Sequence, residues 1–424
     1  MVYFSVNLGK FVLSSKGEHE HMKIAMIGQK GYPAHYGGVE RHVAEISERL
    51  VRYGHTVTVY NREWYGGKQH GNVNGITITT VPTIRTKHLD AIVHTFLSTF
   101  HAIFKKVDII HYHGVGPSLL SWIPRVFSPK TLIVSTFHSI DRYHEKWGWF
   151  ARTMLRLGER FSHIFPHETI VIAPALESYC RKEFKAKTHY IPNGTTIHDE
   201  DATVPYHTKT TILDEFNLEK NNYLLLVSRL IPAKASHILI DAFVHLKESH
   251  KENDIVRTLK LVIVGGSVYT NTYVASLHKQ ASACSDIIFT DFQSGGALED
   301  LFRGSLGFIH PSITEGMPLA VLEAMGYGKP TLVSAIPEHI QLIQNPHMLF
   351  RENDPDALEE KILEFLNLSQ QEQDAIGQAN KIYVTKNYDW KHSTEMLVNL
   401  YESAYATHIK PTAKHQVKTA HNNA

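Results

Sequence analysis

The run Thr314-Glu315-Gly316-Met317-Pro318-Leu319-Ala320-Val321-Leu322-Glu323-Ala324-Met325-Gly326-Tyr327-Gly328-Lys329-Pro330 follows a short apolar strand over 307–310 and a turn at Pro311-Ser312. Gly316 frees the backbone and Pro318 fits a first helical turn. The spacing predicts a helix over 319–325, ended by Gly326 or Gly328. Two carboxylates bracket it. Glu315 lies just ahead of the helix, where free N–H groups and the positive dipole end favour anions. Glu323 lies about one and a half turns inside. A helix start that can hold phosphate, between carboxylates that can hold hydroxyls, suits a sugar nucleotide. Acidic residues also gather at helix starts for dipole reasons alone, so the surrounding pattern must carry the argument.

The chain has 424 residues, enough for two domains of ordinary size, and 43% hydrophobic content argues against global disorder. A formal net charge of +1 disfavours a dedicated nucleic-acid binder. Cys180 and Cys284 are too few for a zinc cluster or a disulfide framework and point to a reducing compartment. No apolar run is long enough for a transmembrane helix. Residues 1–17 lack a basic stretch ahead of their apolar part and read as an extension, not a secretory signal.

The domain opens at Met22. Residues 23–28 form an apolar strand ending in Gly, 29–38 a loop, 39–53 an amphipathic helix and 55–60 the next strand: the opening of a Rossmann-like half. Gly37 and Gly38 at the helix start let a phosphate or sugar approach the backbone, although a plain tight turn is the commoner use of such a pair. The loop does not spell G-x-G-x-x-G, so a dinucleotide site is disfavoured. Residues 76–81 read as a strand at a sheet edge and 89–106 as an amphipathic helix. Strand 108–113 ends at His111 and His113, one expected to face the core and the other the cleft. Strand 130–138 carries His138 at its carboxyl end, where open parallel sheets bind ligands. The helix predicted over 143–165 mixes aromatic residues with Arg152, Arg156 and Arg160. Such a helix can lie on an anionic membrane or pack on the sheet with a solvated basic face. Strands over 169–173 and 188–192, with a helix over 175–184, complete this half before the Asn193-Gly194 turn.

A polar linker over 195–205 contains Asp199-Glu200-Asp201, and Asp354-Pro355-Asp356 is a second D-x-D run. Neither sits at the rigid strand end that a metal site needs, so no metal is expected. The strand pattern restarts over 223–230, and its loop carries Arg229 and Lys234. Two cations at a strand's carboxyl end, beside a helix start, suit a diphosphate whose charge grows as it leaves. Strand 259–264 runs into Gly265-Gly266, strand 287–289 into Phe292 and Gln293, and strand 330–334 into 336–339. Helices are expected over 274–284, 298–302, 356–365 and 369–384, and a last one over 391–405.

Ser312, Glu315, Gly316, Pro318, Glu323, Ala324, Met325, Gly328 and Pro330 together closely resemble the Glu-x7-Glu signature of the retaining family 4 glycosyltransferases. The resemblance extends over nearly all of 22–405. It implies an α/β chain of the GT-B class: two Rossmann-like domains facing a cleft. Their limits would be an extension over 1–21, an acceptor domain over 22–204 and a donor domain over 205–385. A crossover helix over 386–408 would return to the first domain, ahead of a tail over 409–424. By resemblance, Glu315 contacts the donor sugar's hydroxyls, Glu323 the ribose, and His138 the sugar from the facing domain. Arg229 and Lys234 hold the diphosphate, although Ala235 stands where the family usually has Gly. Gly37, Gly38, Gly265, Gly266 and the backbone of Gly316, Met317, Pro318 and Leu319 line the donor site. Phe292 and Gln293 read the base. The implied reaction moves a sugar from a nucleoside diphosphate sugar to an acceptor hydroxyl, with retention and with no metal or other cofactor. The loop over 28–38 is similar to that of bacterial transferases that build surface polysaccharide, rhamnosyltransferases among them. That likeness implies a saccharide or lipid-linked saccharide acceptor and a cytoplasmic place, at the inner face of the plasma membrane, with peripheral membrane contact. The competing expectation is a GT-B protein that binds a sugar nucleotide without turning it over.

Overall fold

The computed structural model describes residues 20–66, 70–86, 89–143, 148–196, 211–267 and 270–410. The N-terminal extension, the Asp199-Glu200-Asp201 run and most of the C-terminal tail lie outside them. Two sheets organise the chain. The first runs β3-β4-β2-β1-β5-β6-β7-β8. Its strands are β1 (Lys23–Ile27), β2 (Thr56–Arg62), β3 (Gly71–Val73), β4 (Ile76–Val81), β5 (Ile109–His113), β6 (Leu132–Phe137), β7 (Glu168–Val171) and β8 (His189–Tyr190). The second runs β11-β10-β9-β12-β13-β14. Its strands are β9 (Tyr223–Val227), β10 (Lys260–Val264), β11 (Ile287–Phe289), β12 (Gly307–His310), β13 (Thr331–Ser334) and β14 (Leu349–Phe350). All neighbours pair in parallel except β3 with β4. The near-continuous apolar strands, such as Lys23–Ile27, are what a sheet covered by helices on both faces requires.

Helices on the sheets and at the cleft include α1 (Gly38–Arg52), α2 (Leu89–Phe104), α3 (Trp122–Phe127), α4 (Trp149–Ile164), α5 (Ser236–Ser249), α6 (Leu319–Gly326), α7 (Pro355–Leu366) and α8 (Trp390–His408). Strand alternation sets α1 and α8 on one face of the first sheet and α2 and α4 on the other. Ile24, Met26, Val57, Ile109 and Leu132 pack in one core with Val43 and Ile46 of α1 and Trp390, Leu397 and Tyr401 of α8. Ala25, Ile27, Ile110 and Ile133 point the other way, into a core with Ala102 of α2. The Phe137 ring stacks on His163 of α4 on that same side. The last helix thus returns from the second sheet to roof the first. The crossing is tight: the Thr195 N–H donates to the Tyr388 carbonyl at 2.7 Å, and a side chain on Gly194 would meet the Trp390 backbone.

Three expectations need correction. The strand over 76–81 is not the sheet edge. β3 lies outside it, joined through Asn74 and Gly75, both at positive φ. Asn-Gly is a strong two-residue hairpin signal, obscured here because Gly71-Asn72-Val73 is too short and polar to read as a strand. The basic helix is shorter than 143–165 and begins at Trp149. His111 and His113 do not face opposite ways. Residues two apart on a strand share a face, and both imidazoles are buried on the α1 and α8 side with ring centroids 4.1 Å apart.

His111 is fully enclosed, with Nδ1 2.6 Å from the Tyr401 hydroxyl and Nε2 2.7 Å from Thr136 Oγ1. Removing the Tyr401 oxygen orphans a buried nitrogen. Tyr401→Phe should lower unfolding free energy by about 1–3 kcal/mol in urea titration, with no change in overall secondary structure.

Candidate active site

The carboxyl ends of both sheets converge on one cleft. From the second sheet, the loop after β9 carries Arg229 and Lys234, and the loop after β12 carries Glu315. The two loops are tied through their backbones, the Ile313 N–H donating to the Ala233 carbonyl at 3.1 Å. Lys234 Nζ makes a short ion pair with Glu315 Oε1. His310 Nε2 reaches the same oxygen at 2.8 Å, with Ser312 Oγ 3.1 Å from that nitrogen. Burial alone would push the Glu315 carboxyl up. The Lys234 ammonium and the His310 imidazole override it and hold the group ionised, well below the usual carboxylate range. Burial, with a smaller contribution from Arg229, works against the charge on Lys234, and Glu315 opposes both. Ala235 explains the usual glycine of the family: it sits at φ 49° in the left-handed region, which costs a residue with a Cβ.

The first sheet meets this centre directly. A side chain on Gly316 would lie 2.1 Å from the His138 carbonyl oxygen, so the two loops touch where only glycine fits. Gly38, at the start of α1, faces the Leu319 side chain at the start of α6 at van der Waals distance. Gly37 sits at φ 105°, with Glu40 folded under it, and the Glu40 carboxylate accepts from the Lys30 N–H at 3.0 Å. The Tyr36 ring stands 6.2 Å from the exposed Phe292, edge to face across the cleft, and Lys30 Nζ lies 4.7 Å above Tyr36. Gly265, at φ 145°, packs against the Ser228 carbonyl beneath the Arg229 loop, while Gly266 is open.

Other predicted residues stand differently. The Met317 side chain is core, so only its backbone is available to the cleft. Pro318 caps α6. Glu323 is half-buried, and burial raises its carboxyl pKa against the pull of Arg41 from α1. Gln293 folds onto its own loop, its amide donating to the Thr290 carbonyl at 2.6 Å. Asp354 is a helix cap for α7, accepting from the Ala357 N–H and pairing with Arg351 at 2.7 Å, while Asp356 belongs to an exposed cluster with His245 and Glu359.

Sequence reading missed His310, which ends β12 as His138 follows β6. The same strand-end logic could have found it. It also missed His42, whose Nδ1 is 2.8 Å from Asn193 Oδ1 and whose ring is packed 4.8 Å from His138 and 5.7 Å from Trp390. His42 is buried beside the Val39, Val43, Ile46 stripe of α1, and that placement was its only signal. His113 Nδ1 lies 3.3 Å from His138 Nε2, and burial holds both rings neutral, well below the usual range. Two trios, His42 with His113 and His138, and His310 with Glu315 and His339, bring ligand atoms within 4.8 Å of one another. In both, ring nitrogens or carboxylate oxygens already engage protein partners.

Parallel sheets facing across a cleft, with cations at one carboxyl end and a histidine at the other, define a GT-B glycosyltransferase architecture. Residues 36–198 match the family described as Glycosyltransferase Family 4, and residues 208–382 match Glycosyl transferases group 1. The chain belongs to these glycosyltransferases. It is 24% identical to O-antigen chain mannosyltransferase C of Escherichia coli, over 90% of this chain and 98% of that one. It is 25% identical to the Escherichia coli UDP-Gal:alpha-D-GlcNAc-diphosphoundecaprenol alpha-1,3-galactosyltransferase, over 65% of this chain and 71% of that one. Among solved structures, Anabaena Alr3699/HepE in complex with UDP and glucose shares the fold, with TM-score 0.70 and 17% identity over 90% of this chain and 100% of that one.

Gly316→Ala forces the 316 loop away from His138, and should weaken donor binding about tenfold by calorimetry, ~1.4 kcal/mol, while the chain stays folded. Burial depresses the His42 pKa from 6.5 to about 4. The unfolded chain therefore takes up this proton first as pH falls, and stability declines between those values. By pH 5, His42 alone should cost about 2 kcal/mol relative to pH 7.5, and His42→Gln should remove that part of the decline in denaturant titrations.

Proposed function

We propose that this glycosyltransferase moves a hexosyl or deoxyhexosyl group from a nucleoside diphosphate sugar to a hydroxyl of a saccharide or lipid-linked saccharide. The configuration at the anomeric carbon is retained, no metal takes part, and the product enters surface polysaccharide. The observation that carries this reading is the Lys234–Glu315 pair, set between the start of α6 and His138 of the opposite sheet.

Each part has a chemical task. The backbone N–H groups at the start of α6 and the cations Lys234 and Arg229 receive the diphosphate. Negative charge grows on that leaving group as the sugar–phosphate bond breaks, and fixed cations stabilise it without a metal ion. Glu315, kept ionised by its neighbours, accepts hydrogen bonds from sugar hydroxyls. His138, neutral, offers a hydrogen bond to the sugar from the other domain. Phe292 and Tyr36 supply apolar ring surface toward the base, and Glu323 accepts from the ribose. The contact of Gly316 with His138 closes the cleft and excludes water from the breaking bond. The acceptor reading leans on the printed activities of the Escherichia coli relatives, one of which acts on a diphosphoundecaprenol-linked sugar. Among the described residues, no helix is long and apolar enough to cross a membrane, so a lipid-linked acceptor would be met at a membrane surface. The proposed place is the cytoplasmic face of the plasma membrane.

The test is a panel of nucleoside diphosphate sugars, with and without EDTA, monitored for released nucleotide. One donor should be turned over, EDTA should not matter, and Glu315→Ala and Lys234→Ala should each lower the rate at least about a hundredfold, the loss typical of one charge-stabilising group. Loss of activity in EDTA would overturn metal independence. Donor binding without turnover, in the presence of lipid-linked and free saccharide acceptors, would replace this reading with that of a sugar-nucleotide binder.

A further inference from the structure

Among the described residues, most of the large apolar side chains that are exposed lie on α2, α3 and α4, the three helices that share one face of the first sheet. Trp149 is 81% exposed, Phe104 80%, Phe150 68% and Phe127 60%. The three helices adjoin. Phe96 packs on Phe100 at 4.8 Å and Phe100 on Phe127 at 6.3 Å, joining α2 to α3. Ser121, just ahead of α3, reaches the Phe161 carbonyl of α4 at 3.4 Å. Large exposed aromatic side chains gathered on adjoining helices mark an interaction site.

Its charge is one-sided. Lys105 and Lys106 follow α2, Arg125 and Lys130 accompany α3, and Arg152, Arg156 and Arg160 lie along α4, all exposed. The carboxylates on these three helices are Asp90 and Glu159, and both are turned inward, to Arg62 at 2.6 Å and to Arg142 at 3.2 Å. Arg156 meets Glu183 of the following helix at 3.4 Å, an exposed pair of little strength. The whole chain carries a formal charge of only +1, so this cationic face is a local concentration.

We infer that the α2–α3–α4 face is a docking surface for an anionic lipid bilayer, with aromatic side chains entering the interface and the lysines and arginines at the headgroup phosphates. Tryptophan and phenylalanine beside basic residues are the composition such an interface selects. A second copy of this chain is the weaker occupant, because an isologous contact would set these cations against themselves. The seating has a geometric consequence. α4 leads off from the carboxyl end of β6, the end that carries His138, so Trp149 and Phe150 stand on the rim of the cleft. A bilayer on this face lies beside the entrance to the site. This deepens the lipid-linked acceptor reading and rests on it for its purpose, but not for its measurement.

The experiment is cosedimentation of the full chain with vesicles of phosphatidylcholine, alone or with about 30% phosphatidylglycerol, at about 50 and 500 mM NaCl. The variants are Trp149→Ser with Phe150→Ser, and Arg152→Glu with Arg156→Glu. Wild type should partition at least about tenfold more strongly onto anionic vesicles at low salt than onto neutral ones, and each double variant should lose about tenfold or more. Nucleotide release from a water-soluble donor should be unchanged in both, which separates failure of docking from failure of the glycosyltransferase site. No binding of wild type to anionic vesicles at low salt would overturn the proposal. So would variants that bind as wild type does, or a dimer in light scattering that the aromatic variant abolishes while vesicle binding persists.

Discussion

A buried ion pair between Lys234 and Glu315 holds the centre of this molecule together. Taking two charges out of water costs several kcal/mol each, and their attraction offsets that cost only when other groups satisfy what remains. Here His310 and Ser312 do so. The pair also fixes two loops that follow non-consecutive strands, β9 and β12, and so defines the carboxyl-end surface of the second sheet. Losing either partner leaves a buried charge alone, a worse state than never having had the pair. The arrangement suits a site that must accept an anion. Under the proposed reading, an entering diphosphate would give Lys234 a second partner while Glu315 keeps His310.

The first sheet presents a different chemistry to the same space. Its contribution is a packed set of neutral imidazoles, His42, His111, His113 and His138, stabilised by each other and by Asn193, Thr136 and Tyr401. Burial keeps them uncharged, so this cluster adds no fixed charge beside the Lys234–Glu315 pair. The first domain's cations at the cleft stand apart from it, Lys30 over Tyr36 and Arg41 toward Glu323.

Much of this was legible in the chain. The alternation of apolar runs with amphipathic stretches implied two parallel sheets, because strands buried on both faces leave that record. Glu315, Lys234, His138, Gly38 and Gly316 come together from positions that motif spacing and strand-end logic had already picked out. The rest was hidden for physical reasons. His310 and His42 act through packing partners distant in sequence, and no local spacing encodes such a contact. Met317 sits inside the motif yet turns its side chain to the core, since one residue of a tight loop must anchor it. β3 is made by its turn more than by its own residues. The docking face was half visible: α4 announced itself by composition, while α2 looked like an ordinary amphipathic helix and α3 was not anticipated. Only the fold sets the three side by side.

The crossing at Gly194 has an implication for modularity. Residues 191–196 leave the first domain against the same backbone, 388–390, by which the chain returns to it. The first sheet's roof is therefore encoded at the far end of the polypeptide, and the second domain is inserted, in effect, into the first. A recombinant exchange of second domains between members of this family would have to cut twice, once on each side of the insertion, and keep α8 with its original host. A single cut near residue 200 would pair each first sheet with a foreign roof, whose Trp390, Leu397 and Tyr401 equivalents need not fit. The second domain is thus bounded by two crossings that lie side by side in space.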